Sequence, residues 1–126
     1  RHMMDEQEFL SRHPMPTVSL TDPLYEKRMW RGPAWNSMTM WAARGCMRYG
    51  RYEEAGRLLE AALDGTSRIY FQTGCIWEFY DSLGGRPEQV QRKPQTGFNM
   101  PCRDYLGHNP LHYMAGLWEE CRHAKR

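Results

Sequence analysis

Apolar residues recur at helical spacing in two adjoining stretches. Met38, Trp41, Ala42, Gly45, Cys46 and Tyr49 share one face of a 3.6-residue period, and Tyr52, Ala55, Leu59, Ala62 and Leu63 share another. The first stripe predicts a helix from Asn36 or Ser37, either of which caps well, to about Tyr49, with Gly50 as its stop. The second predicts a helix over residues 51–64, ended by Gly65. Almost nothing separates the two, so they fold back as an antiparallel pair. A last helix starts at Pro110 with Asn109 as cap and turns Leu111, Met114, Ala115, Leu117, Trp118 and Cys121 inward. Its basic end, with His123, Lys125 and Arg126, suits the negative pole of the helix dipole.

Between residues 66 and 109 the periodicity breaks down. Gly74, Gly84-Gly85, Pro87, Pro94, Gly97, Pro101 and Gly107 punctuate a long irregular stretch. It also carries Tyr70, Phe71, Trp77, Phe79, Tyr80, Phe98 and Tyr105, too many rings for a disordered segment, so its length points to function. Upstream, a short helix is predicted over residues 3–11. Pro14, Pro16 and Pro23 then enforce an extended path towards Trp30. No β-alternation persists. The class read from the pattern is all-α with long functional loops.

At 126 residues one domain is expected. A net charge of +2, from 17 Lys+Arg against 15 Asp+Glu, is scattered, so no basic stripe suggests a nucleic-acid partner. Apolar runs are too short to span a membrane, and neither a nucleic-acid nor a membrane partner is expected. Hydrophobic content of 40% is modest while aromatics reach 13%, a balance that suits a polar cavity lined by rings. The chain opens on Arg1 with no secretory apolar core; an excised or incomplete reading frame and a cytoplasmic location are the expectations. Cys46, Cys75, Cys102 and Cys121 form no CxxC pair and read as free thiols. His108 and His112 are four apart, but Pro110 starts a helix between them rather than continuing one. No metal or other cofactor is expected.

The candidate chemistry lies in two motifs. In Trp30-Arg31-Gly32-Pro33-Ala34-Trp35 two rigid rings bracket a turn, and in Gly74-Cys75-Ile76-Trp77-Glu78-Phe79-Tyr80-Asp81 a lone carboxylate sits among rings. Aromatic faces stack on the C–H faces of sugars, while carboxylates and guanidiniums bind hydroxyls. A Glu set against aromatic walls is placed for acid or base work. Both motifs fit a carbohydrate substrate.

These residues, with Glu8-Phe9, His13-Pro14-Met15-Pro16-Thr17-Val18 and Asp22-Pro23 before them, resemble the C-terminal part of the catalytic domain of glycoside hydrolase family 63 and its relatives. Those relatives include mannosyl-oligosaccharide glucosidases and the mannosylglycerate hydrolase group. The similarity covers nearly the whole chain, so that residues 1–126 would form the C-terminal portion of such a domain. The resemblance implies an (α/α)6 barrel of which this chain is a part, completed by a missing N-terminal portion. It also implies an inverting α-glycosidase acting on glucosides or mannosides, such as glycosylglycerates or oligosaccharide ends. The family's general base maps onto Glu78, and its acid, an Asp, lies upstream of this chain, so the isolated chain is expected to be inactive. Inverting enzymes hold the two carboxyls roughly 6.5–9.5 Å apart to admit a water. Two departures bear on which sugar is taken: Ser82-Leu83-Gly84-Gly85 replaces a Pro and Thr-Gly turn, and Gly107-His108-Asn109-Pro110 replaces a Trp-Thr or Trp-Ser step.

Each role has a plainer alternative. Glu78 as base is set against an ordinary surface carboxylate, and Arg31 is expected to sit near it and keep it ionised. Trp30 and Trp35 read as pocket walls, Trp35 equally as an anchor for the helix start. Arg31 reads as a donor to sugar hydroxyls, and Gly32 as the point where backbone approaches ligand. Trp77 belongs to the same wall. Gln72 and Tyr80 are as suited to local backbone contacts as to hydroxyls. Asp81 reads as a turn initiator, Trp41 and Trp118 as core, and His108 with Asn109 as the closing loop. The competing class is a non-catalytic helical sugar-binding or scaffold module.

Overall fold

The computed structural model describes residues 1–95, 97–105, 107 and 109–124. It is all-α: α1 spans Asn36–Arg48, α2 spans Tyr52–Thr73 and α3 spans Leu111–Ala124, with single 3-10 turns at His2–Met4 and Pro87–Gln89. Among the described residues extended chain meets extended chain only as isolated bridges. The three helices are consistent with part of a helical barrel.

Helix α2 is the central element, packed on both α1 and α3. Glu53 and Glu54 in its first turn oppose the positive end of the helix dipole. Its buried stripe of Ala55, Leu58, Leu59 and Ala62 meets Met40 and Ala43 of α1 and Met114, Leu117 and Cys121 of α3 in the main core. Residues 49–51 turn α1 into α2, and Gly50 there has φ +70°, as a helix-stopping glycine should.

Four expectations need correcting. Helix α2 does not stop at Gly65. It runs to Thr73 and ends on Gly74, whose φ of 70° and N–H bond to the Tyr70 carbonyl (2.7 Å) close the last turn. Gly65 is a packing residue instead: a Cβ there would stand 2.4 Å from Nδ1 of His13. In α1 the buried face is Asn36, Thr39, Met40 and Ala43, a stripe rotated from the apolar one, and Trp41 lies 60% exposed. The residue flanking α1 at its start is Trp35, whose carbonyl accepts from Met38 and Thr39, so Asn36 is freed for other work. Residues 3–11 form no α-helix, only the 3-10 turn and a run of turns closed on the Asp5 carbonyl. Trp118 is half-buried against the main core, as expected, and Arg122 stacks on its ring at 4.8 Å. Lys125 and Arg126, expected to finish α3, lie outside the described residues.

Two smaller clusters sit at the C-terminal end of α2 and at the start of α1. One gathers Ile69, Cys75, Trp77 and Tyr80, the other Trp35, Phe79 and Val90. Between them they fix the loop that leaves α2, because successive side chains of residues 77–80 are taken up by different clusters.

Candidate active site

Ala34 joins the two motifs. Its N–H donates to the Tyr80 carbonyl at 2.8 Å and its carbonyl accepts from Tyr80 N–H at 2.9 Å, an antiparallel bridge. Pro16 pairs with Ala34 from the other side, so three segments run abreast. The Trp30 bend and the Glu78 loop are therefore one unit, although 40-odd residues separate them along the chain.

The rings stack across that bridge. Trp30 lies on Trp35 with centroids 3.8 Å apart and planes 6° from parallel, and Trp35 lies on Phe79 at 5.1 Å. Trp35 is buried between Trp30 and Phe79 and donates its indole N–H to the Met29 carbonyl (3.1 Å), as its expected role of anchor at the helix start requires. Trp30, at the end of the column, keeps 47% of its surface exposed.

Glu78 is buried, with 4% of its side chain exposed, which removes the surface-carboxylate alternative. Its Oε2 accepts from Arg92 Nε at 2.9 Å and from the Cys102 N–H at 3.0 Å, and its own N–H donates to the Cys102 carbonyl at 3.0 Å. The ion pair raises the Arg92 pKa, chiefly through that hydrogen bond. The Cys102 thiol lies near the carboxylate; burial first, then its interaction with Glu78, push its pKa up. The guanidinium facing Glu78 is thus that of Arg92. Arg31, given this task on the sequence, is largely exposed and pairs with Glu26 at 3.5 Å.

Gly32 also has a different task. Its N–H donates to Thr17 Oγ1 (3.0 Å) and its carbonyl accepts from Ser82 Oγ (2.6 Å), while a Cβ would stand 2.2 Å from the Glu26 carbonyl oxygen. The glycine lets two protein segments meet, and its backbone groups are occupied within the chain. Trp77 is buried, donates Nε1–H to Thr73 Oγ1 at 2.9 Å, and carries the Arg103 guanidinium 5.6 Å over its ring. Gln72 is exposed on the last turn of α2 rather than in a loop. Gln72, Trp77, Arg86, Phe98 and Arg103 line a cavity of about 360 Å³. A larger cleft of about 720 Å³, between the N-terminal segment and α2, shares none of the residues singled out.

Tyr80 looks inward. It is 3% exposed, its hydroxyl accepts the Trp77 N–H at 3.0 Å, and it stacks on His13 at 4.5 Å. Burial pushes its pKa up. Of its two expected uses, the local backbone contact is the observed one. Asp81 initiates the expected turn, its Oδ1 accepting from Leu83 N–H at 3.0 Å, and its Oδ2 meets Lys27 Nζ at 3.0 Å. That ion pair, buried only on its carboxylate side, gave no local sequence signal.

Behind Tyr80 lies a polar network that the sequence reading missed. The Asn36 amide group donates to Thr66 Oγ1 (2.9 Å) and Asn109 Oδ1 (3.0 Å), which leaves its oxygen to accept from His13 Nε2–H at 2.9 Å. Asn109 in turn donates to the Trp77 carbonyl at 3.2 Å. The N-terminal segment, α1, α2 and the approach to α3 thus converge on the loop bearing Glu78. Desolvation lowers the His13 pKa to about 4, so the ring is neutral. His108, paired with Asn109 on the sequence, lies outside the described residues, and so does any contact it makes.

An all-helical scaffold that sets a buried carboxylate beside a column of rings fits the glycoside hydrolase class. Residues 1–99 match the model of the Mannosylglycerate hydrolase MGH1-like glycoside hydrolase domain, and the chain belongs to that family. No curated protein matches the chain.

Proposed function

We propose that this chain supplies the general base and one wall of the sugar pocket of an inverting α-glycosidase, with Glu78 as the base. The observation that carries the proposal is the setting of that carboxylate. It is buried, held by a guanidinium and a backbone N–H, and attached through the Ala34–Tyr80 bridge to a stack of rings. A base must be held in one orientation to take a proton from water, and charge-assisted donors hold a carboxylate firmly. The small exposed patch of Glu78 suits delivery of one ordered water and keeps bulk solvent out. The open face of Trp30 offers the platform for a sugar ring. Family membership supports a glucoside or mannoside, glycosylglycerates among them, as substrate.

The same proposal assigns the general acid to the part of an (α/α)6 barrel that this chain does not contain. A base alone cannot expel an alkoxide, so residues 1–126 by themselves are expected to turn nothing over. The test uses the natural polypeptide that contains these residues, assayed on a panel of α-glucosides and α-mannosides. Glu78→Gln is expected to lower kcat by about 10²–10⁴-fold, and NMR of fresh product is expected to show the inverted anomer. A near-normal rate in Glu78→Gln, with the variant folded, overturns the assignment.

A further inference from the structure

We infer that Arg92 is a positioning residue for Glu78: with the Cys102 N–H it ties down Oε2 and so leaves Oε1 as the oxygen that receives the proton from water. The inference rests on the reading of Glu78 as general base.

Two buried carboxylates of this chain show the contrast. Asp81 has both oxygens engaged, Oδ1 by the Leu83 N–H and Oδ2 by Lys27, as befits a carboxylate whose task is to hold a turn. On Glu78 the guanidinium and the backbone donor converge on one oxygen, Oε2. Among the described residues the Cys102 thiol is a further neighbour of this carboxylate, a weak donor that a water displaces at little cost. Two strong donors on a single oxygen fix the rotation of the carboxylate and present the other oxygen in one direction.

The stem of Arg92 is itself anchored. Its N–H donates to Asn99 Oδ1 at 2.9 Å. The preceding residue, Gln91, donates to the Lys27 carbonyl at 2.8 Å and accepts from Met29 N–H at 2.9 Å. Met29 adjoins Trp30, so the guanidinium is braced against the same bend that bears the ring column. A pair built only for stability does not need such bracing; a base that must meet water within a few tenths of an ångström does.

The experiment measures kcat and KM separately in the natural polypeptide that contains these residues. Arg92→Ala is expected to lower kcat by about 10- to 100-fold with KM within about twofold, because only the orientation of the base is lost. Guanidinium chloride, kept below denaturing concentration, is expected to restore part of kcat to Arg92→Ala and to leave Glu78→Gln unchanged. A wild-type kcat in Arg92→Ala, or a loss in a folded variant that guanidinium does not relieve, overturns the inference. Should Arg92→Ala fail to fold, Arg92→Lys decides, since it keeps charge and reach without the Nε donor. A lowered kcat with native melting supports positioning, and a wild-type kcat overturns it. Activity surviving in Glu78→Gln overturns the base assignment itself; a dead Glu78→Gln beside a normal Arg92→Ala overturns only the role of Arg92.

Discussion

Desolvation between Tyr80, Gly65 and Asn36 holds the His13 imidazole neutral, its pKa lowered from 6.5 to about 4. The unfolded chain takes up that proton near pH 6.5, the folded chain only near pH 4. Above pH 6.5 the ring is neutral in both states and its stabilisation is complete. As the pH falls the unfolded state is protonated first, and the advantage is lost by about pH 4. The gap is worth roughly 3 kcal/mol. Denaturant unfolding of the wild type and of His13→Gln at pH 7 and pH 4 checks this: the wild type is expected to lose about that much more than the variant. Equal losses would show that carboxylates alone govern the acid limb. This histidine was not legible on the sequence. His13 stands in a proline-punctuated segment with nothing local to mark its side chain as buried, and its side-chain partners come from residues 23 and more positions away. Arg92 escaped for the same reason, since its carboxylate lies 14 residues back across an irregular loop.

Helices were legible as far as their own periodicity determined them. The turn at Gly50, the α1–α2 pair and the inward face of α3, apart from Ala115, which is exposed, follow from local spacing. The end of α2 does not, because a glycine in mid-helix and a helix-stopping glycine look alike until the partner that needs the space is known. That partner is His13. Gly65→Ala is therefore expected to destabilise the chain by about 1–3 kcal/mol through overpacking. Gly45 in α1 is the control. A Cβ there meets nothing within 4 Å, and Gly45→Ala is expected to stabilise by about 0.5–1 kcal/mol. Thermal melting of the two variants side by side tests both signs, and a matching shift in the two would refute the packing argument. Asn36 misled in a related way: a good capping residue at a helix start was needed more by the network behind Tyr80 than by the helix.

At the scale of the molecule the apolar surface is unevenly covered. Trp41 on α1 is 60% exposed, Tyr49 just past its end 86%, and Phe71 near the end of α2 84%. Sequence periodicity put Trp41 inward, since pattern alone cannot say which of two apolar faces of a helix meets its neighbour. Expressed by itself, the 126-residue chain is expected to associate as its concentration rises, and Trp41→Ser is expected to weaken that association. Sedimentation over a range of concentrations provides the check, with a single monomeric species throughout counting against the claim. The pairing of Ala34 with Tyr80 has a further consequence for how this domain can change. A two-bond bridge admits only one count of residues, so one amino acid inserted between Gly32 and Trp35 would reverse which way the bend faces. Variation in this bend is then closed to changes in its length and left to exchange at its exposed positions, Trp30 and Arg31.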